Sequence, residues 1–153
     1  MPRIIPLAQA RFVDVERIEQ ACFQPHWSAA TLNLYLGNPE NLCLGILDGD
    51  TLQGFAIFSR FETDAELLQI AVAEACRGQG IASQLLSAAH GQLGQQGVTD
   101  ILLEVNATNA PAITLYKKHH YRQDGCRKNY YTTPQGRQDA LLMRLGLAAG
   151  KES

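Results

Sequence analysis

The sequence predicts an α/β fold of the α+β kind, a mixed β-sheet flanked by helices, and three observations carry that prediction. Apolar runs of strand length and runs at helical spacing follow one another in the order β-α-α-β-β-β-α-β-α-β-β. Hairpin chemistry occurs twice, at Asp48, Gly49 and Asp50 and again between Pro134 and Gly136, so the sheet cannot be purely parallel. Between them "CRGQGIASQLL", which begins at Cys76, passes an apolar strand into an amphipathic helix through two glycines one residue apart.

The elements follow in order. "RIIPL" reads as a first strand; Asp14, Val15, Ile18, Ala21 and Cys22 then recur at helical spacing, and Ser28 is placed to cap a second short helix over "AATLNLYL". "NLCLGILDGDTLQGFAIFSRF" is two β-rich runs around the Asp-Gly-Asp turn, and "AELLQIAV" is apolar enough to be a central strand. After the glycines, Ile81, Leu85, Ala89 and Leu93 repeat every four residues with Ala82 and Leu86 beside them, giving a helix with one buried face that Gly91 and Gly94 weaken toward its end. "TDILLEV" is a buried strand by its unbroken apolar run, and "NAPAITLYKKHH" is a helix capped by Asn109 with Pro111 in its first turn. "YRQDGCRKNYY" and "DALLMRL" close the chain as two strands, Pro134 and Gly136 suiting positions two and four of a type I turn.

Bulk properties bound the function. With 153 residues, 46% of them hydrophobic and 18% charged, one domain over residues 1–147 is expected to bury its own core, with residues 148–153 as a loose tail. Thirteen Lys and Arg against 15 Asp and Glu leave a net charge of -2 and no basic run, which disfavours nucleic acid as a direct partner. Cys22, Cys43, Cys76 and Cys126 show no CxxC pair and no zinc-ligand spacing, and no segment approaches the roughly 18 apolar residues that span a bilayer. A cytoplasmic monomer without membrane anchor is the expectation.

Three anion-binding readings compete for the glycine turn. No Lys-Ser or Lys-Thr follows the second glycine, so a Walker loop fails. Gly78, Gly80 and Ser83 approximate a dinucleotide fingerprint with Glu104 about twenty residues on. That reading is weak, because Ala73 to Arg77 intervene after the strand and too little chain follows to wind a second mononucleotide half. In the third reading Arg77, Gly78, Gln79, Gly80, Ile81 and Ala82 form a unit whose amide groups, with the positive end of the following helix, face a diphosphate.

That hexapeptide resembles the acetyl-CoA motif R/Q-x-x-G-x-G/A of the GNAT N-acetyltransferases. "LLQIAV", "ILLEVNATNAPAITLY" and "RKNYYTTPQGRQDALLM" resemble more narrowly the bacterial enzymes that acetylate the N-terminal alanine of a small-subunit ribosomal protein. Two departures stand out: His26 separates Pro25 from Trp27 where the family has Pro-Trp-Ser, and His120 precedes Tyr121 where it has glycine before an aromatic residue. His120 is therefore expected at φ > 0.

The resemblance implies a GNAT fold, acetyl-CoA as cosubstrate and a protein N-terminus as partner. It implies that two central strands splay, that the backbone of Ile70, Ala71 and Val72 binds pantetheine, and that Arg77 to Ser83 hold the diphosphate. Asn109 is a further implied CoA contact, although its role as helix cap explains it equally well. Glu104, at the cofactor end of its strand, is the expected general base and Tyr116, two helical turns after Asn109, the expected acid for the leaving thiolate. An ion-paired strand-end Glu and a core Tyr are the plainer alternatives. His119, His120, Lys117 and Lys118 are expected to be a solvated helix end, with no metal site. An acetyltransferase for a small amine and a non-catalytic CoA-binding module remain the alternative functions.

Overall fold

Every expected strand and helix is present in the computed structural model, which describes residues 2–147; the tail expected over residues 148–153 lies outside them. The strands are β1 (Pro2–Pro6), β2 (Leu42–Asp48), β3 (Thr51–Phe61), β4 (Asp64–Val72), β5 (Asp100–Asn106), β6 (Arg122–Thr133) and β7 (Gly136–Gly146). The helices are α1 (Phe12–Cys22), α2 (Ala29–Gly37), α3 (Ile81–Gln95) and α4 (Ala110–Lys118), and single 3₁₀ turns at Gln9–Arg11 and Glu74–Cys76 were not legible in the sequence. Ser28 caps α2 by accepting from the Thr31 amide, and Asn109 caps α4 by accepting from the Ala112 amide. α3 runs through Gly91 and Gly94 because Leu85, Leu86, Ala89 and Leu93 are fully buried along one face.

The strands form one mixed sheet in the order β1-β2-β3-β4-β5-β7-β6, with only β4 and β5 parallel. Helices cover both faces. On one side Val15, Ile18, Leu32 and Leu36 of α1 and α2 pack on Phe55, Ile57 and Ala71; on the other the apolar face of α3, with Tyr116 and Tyr121, packs on Ala56, Phe58, Leu103 and Val105. Each buried Val, Leu, Ile or Phe among them contributes about 1.5–3 kcal/mol, so both layers add to stability.

Two features of β4 open the sheet. Consecutive residues Ile57 and Phe58 of β3 pair with Gln69 and Leu67, leaving Leu68 as an extra residue in a β-bulge. The bulge resets the alternation: Leu67 faces the α3 layer, and so do Ile70 and Val72 beyond it. Just before the bulge the parallel pairing stops, for β4 and β5 are joined only at Asp64–Asp100, Ala65–Ile101 and Glu66–Leu102. From there the strands part, as the resemblance implied.

α4 ends in a left-handed residue. His120 has φ 74, the Tyr121 amide donates to the Tyr116 carbonyl at 3.0 Å and the His120 amide to the Lys117 carbonyl at 3.0 Å. These are the two bonds of a Schellman motif, with the Tyr116 and Tyr121 rings in edge contact supplying its apolar clasp. The expectation for His120 is met.

Candidate active site

A cleft of about 810 Å³ opens where β4 and β5 part. Ile70, Ala71 and Val72 line one wall and Leu103, Glu104, Val105 and Asn106 the other. Arg77, Gly78, Gly80, Ile81, Ala82 and Ser83 close one end, while Asn109, Ala112 and Tyr116 reach in from α4. Thus twelve of the thirteen residues singled out from the sequence line one cleft. Gln79 does not: it is an exposed residue between two left-handed glycines.

The glycine turn has the geometry of an anion cradle. Gly78 has φ 81 and Gly80 φ 77, conformations that cost an ordinary L-residue roughly 1–2 kcal/mol. A Cβ at either position would meet nothing within 4 Å, so the space over the turn is open. Gly80 is also the N-cap of α3 and supplies no side-chain cap, leaving the first-turn amides of that helix to whatever occupies the cleft. The Arg77 guanidinium is turned toward the strand end, its Nε donating to the Val72 carbonyl at 3.3 Å and its Nη2 to Cys22 Sγ at 3.4 Å.

On the opposite side of the sheet from α3, Glu104 is partly exposed and its Oε2 lies 2.8 Å from Arg127 Nε. The plainer expectation of an ion pair is therefore realised together with the cleft position. Glu66 on β4 has its carboxyl pushed up by burial and by the Glu104 charge, and Tyr131, which lines the cleft, is pushed up by burial, Glu104 and Tyr130. Tyr116 is buried, and burial with the neighbouring Tyr131 pushes its phenol up to about 12. It keeps its proton at neutral pH.

Several groups escaped the sequence reading. Cys22 and Phe23, Leu68 and Gln69 join the cleft only through the packing of α1 on the bulged strand, and Tyr131 lay in the quoted "NYY" without an assigned role. Glu19 is fully buried under Gln69: its Oε2 accepts from the Trp27 amide at 2.6 Å and from Gln69 Nε2 at 3.2 Å. His119 corrects the expectation of a wholly solvated helix end. Lys117, Lys118 and His120 are exposed, but His119 is half-buried with Nε2 3.0 Å from Ser83 Oγ, because the Schellman turn folds its ring back onto α3.

The sequence profile of the Acetyltransferase (GNAT) family matches residues 12–121. The chain is 37% identical over 142 residues to the [Ribosomal protein bS18]-alanine N-acetyltransferase of Haemophilus ducreyi, covering 92% of this chain and 97% of the relative. The crystal structure of the ribosomal-protein-S18-alanine N-acetyltransferase from Escherichia coli superposes with a TM-score of 0.90 at 32% identity, covering 96% of this chain and 94% of the other. Arabidopsis thaliana NAA60, solved in complex with acetyl-CoA, shares the fold with a TM-score of 0.84 at 19% identity over 96% of this chain and 99% of its own. With family profile, relatives of matching length and fold in agreement, the chain belongs to the GNAT family and is an acetyl-CoA-dependent N-acetyltransferase.

Proposed function

We propose that this enzyme acetylates the α-amine of a protein N-terminus, an alanine on a small-subunit ribosomal protein, acting as a single-domain cytoplasmic monomer (residues 1–147) that binds neither membrane nor nucleic acid directly. The observation that carries the reading is the parted sheet: one cleft runs from the glycine turn to Glu104 and Tyr116. The names of the curated relatives support the acceptor.

The residues fit acetyl-CoA. The open space over Gly78 and Gly80 and the uncapped start of α3 suit a diphosphate, with Gln79 not lining the cradle, and the β4 edge at Ile70, Ala71 and Val72, which has no strand opposite it, suits the amides of pantetheine. Bound acetyl-CoA supplies a thioester to the cleft. Glu104, directly or through water, takes the proton of the acceptor ammonium. Its pair with Arg127, whose side chain is 55% exposed, is worth at most about 1 kcal/mol and yields to a competing cation. Tyr116 holds its proton for the departing thiolate, and Asn109 primarily caps the helix that presents it.

An α-amine suits such a site. Its pKa of about 7.7–8.0 leaves roughly a tenth neutral at pH 7, whereas a lysine at about 10.4 is well under a thousandth neutral. Glu62, Asp64 and Glu66 lie on the hairpin at the start of β4, where they favour a basic N-terminal segment.

Mass spectrometry after incubation with acetyl-CoA tests the acceptor. A peptide with a free N-terminal alanine should gain one acetyl group, and the same peptide with a blocked N-terminus and an internal lysine should not. Equal reaction of both, or reaction only with small amines, would overturn the assignment. No turnover of any amine would leave a CoA-binding module. Glu104→Gln should lower kcat by about 10²- to 10⁴-fold with acetyl-CoA affinity unchanged within a few-fold.

A further inference from the structure

Behind the glycine turn two histidines meet that the acetyl transfer does not use. His119 closes α4 with its Nε2 3.0 Å from the hydroxyl of Ser83, and Ser83 stands in the first turn of α3 and lines the cleft. The ring of His90, from the same face of α3, lies 6.0 Å from that of His119 at a steep angle. His90 is already committed: its Nε2 lies 2.8 Å from the Tyr121 hydroxyl. Burial pushes that phenol up and the His90 imidazole down to about 4, so the phenol donates and the imidazole stays neutral.

The charged groups that act on His119 are Lys118 and His120 on its own segment, with His90 facing it from α3. Burial first, then Lys118 and His120, hold the His119 imidazole below the usual histidine value, and none of the groups facing it is an anion that would favour its protonated form. One hydroxyl away lies a cradle built for an anion. We propose that His119 is a proton-linked positioning residue for the cofactor diphosphate, aiming the Ser83 hydroxyl into the cradle and taking up a proton from solvent when the diphosphate binds.

The hydrogen-bond balance gives the direction. With Nε2 unprotonated, the Ser83 hydroxyl donates back to the ring and turns only lone pairs toward an anion. An Nε2–H donates to Ser83 Oγ and releases the hydroxyl hydrogen toward the cleft; the neutral Nε2–H tautomer does this without proton uptake, so it is the charge of the imidazolium that links the proton to the anion. The imidazolium then adds a positive charge behind it. By linkage the diphosphate raises the proton affinity of His119, and protonation of His119 raises affinity for the diphosphate by the same factor. Affinity therefore increases as pH falls through the titration of His119.

The proposal rests on the glycine turn being the diphosphate site, and the test separates the two. The probe is dephospho-CoA, because the 3′-phosphomonoester of CoA itself titrates near pH 6. Calorimetry in buffers of different ionisation enthalpy reads the protons taken up on binding. The wild-type protein should take up a fraction of a proton near pH 6 and bind about threefold or more tighter at pH 5.5 than at pH 7.5. His119→Gln keeps a hydrogen-bonding side chain without a titration, and Ser83→Ala breaks the link to the ring; both should bind with no proton uptake. Wild-type binding without uptake, or uptake that survives in His119→Gln, overturns the role of His119. Gly80→Val should weaken binding at every pH; wild-type affinity in that variant would overturn the diphosphate reading itself, and this proposal with it.

Discussion

Removing the Glu19 side chain should loosen the connection between α1 and α2, the loop with Pro25 and Trp27 that the family resemblance implies to be on the acceptor side of the cleft. Glu19 is 0% exposed, and its Oε2 is the shared acceptor for the Trp27 amide and Gln69 Nε2. The first bond holds the turn that follows α1, where Trp27 packs on Tyr35 with ring centroids 4.8 Å apart; the second reaches the strand at its bulge. In Glu19→Ala both donors lose their acceptor, and a buried unsatisfied donor costs about 1–3 kcal/mol. Gln69 borders the cleft, so water relieves part of its loss, and Glu19 Oε1 has no partner among the described residues, so the native pair already carries a desolvation penalty. The net expectation is a destabilisation of about 3 kcal/mol, or a fall in Tm of about 6–12 °C for a chain of this size. Glu19→Gln keeps one oxygen able to accept from both donors and puts its NH2 where Oε1 has no partner among the described residues, so it should lose less than half as much. Thermal unfolding followed by circular dichroism measures the first effect, and steady-state kinetics the second: KM for the peptide should rise while the Kd for acetyl-CoA stays within about twofold. A Tm within about 2 °C of wild type would show that the buried pair is not a tether, and a parallel loss of acetyl-CoA affinity would show that it does not act on the acceptor side.

Other expectations follow from single residues. Tyr116→Phe should lower kcat by about 10²- to 10⁴-fold at constant acetyl-CoA affinity, and because the phenol is pushed up to about 12, the wild-type rate should show no loss from its ionisation below pH of about 11. An undiminished rate in the variant would remove Tyr116 as the acid. His120→Gly should stabilise the protein by up to about 1 kcal/mol in urea titration, since the left-handed φ of 74 no longer opposes a side chain; a less stable variant would contradict this. His90 is held neutral down to about 4, whereas an unfolded histidine gains its proton near 6.5. Its contribution is thus fully present above pH of about 6.5 and is lost as pH falls toward 4, at up to about 1.4 kcal/mol per pH unit. His90→Gln should flatten that acid limb, and an unchanged limb would place the titration elsewhere.

Most of the architecture was legible because each element carries its own local signal. The four-residue repeat from Ile81 to Leu93 outvoted two glycines, Ser28 and Asn109 announced their helices, and His120 betrayed its conformation by standing where glycine usually does. The glycine turn was legible for the same reason, since its left-handed angles are a property of the residues themselves. The bulge at Leu68 was not. "ELLQIAV" reads as an unbroken apolar strand, and nothing in it marks the extra residue that reverses which side chains face α3. Glu19 and His119 were missed because burial and partners decide their roles, and both partners, Gln69 and Ser83, are distant in sequence. Gln79 was included for the backbone amides of the turn, and an exposed side chain that does not line the cleft leaves that reading where it stood.

The three-pair seam between β4 and β5 makes this sheet an unfinished one. The first four strands form one plate and the last three another, hinged at Glu66 and Leu102, and the amides that would normally knit them together beyond that hinge have no strand opposite. With acetyl-CoA bound as proposed above, its pantetheine arm would serve as a keystone in place of the missing ladder. Backbone amides of residues 67–72 that point away from β3 should accordingly trade hydrogen for deuterium quickly in the free protein and slowly in the complex, while those paired with β3 change little. On that proposal the cosubstrate is a structural strand of its own enzyme, supplied and withdrawn once in every catalytic cycle.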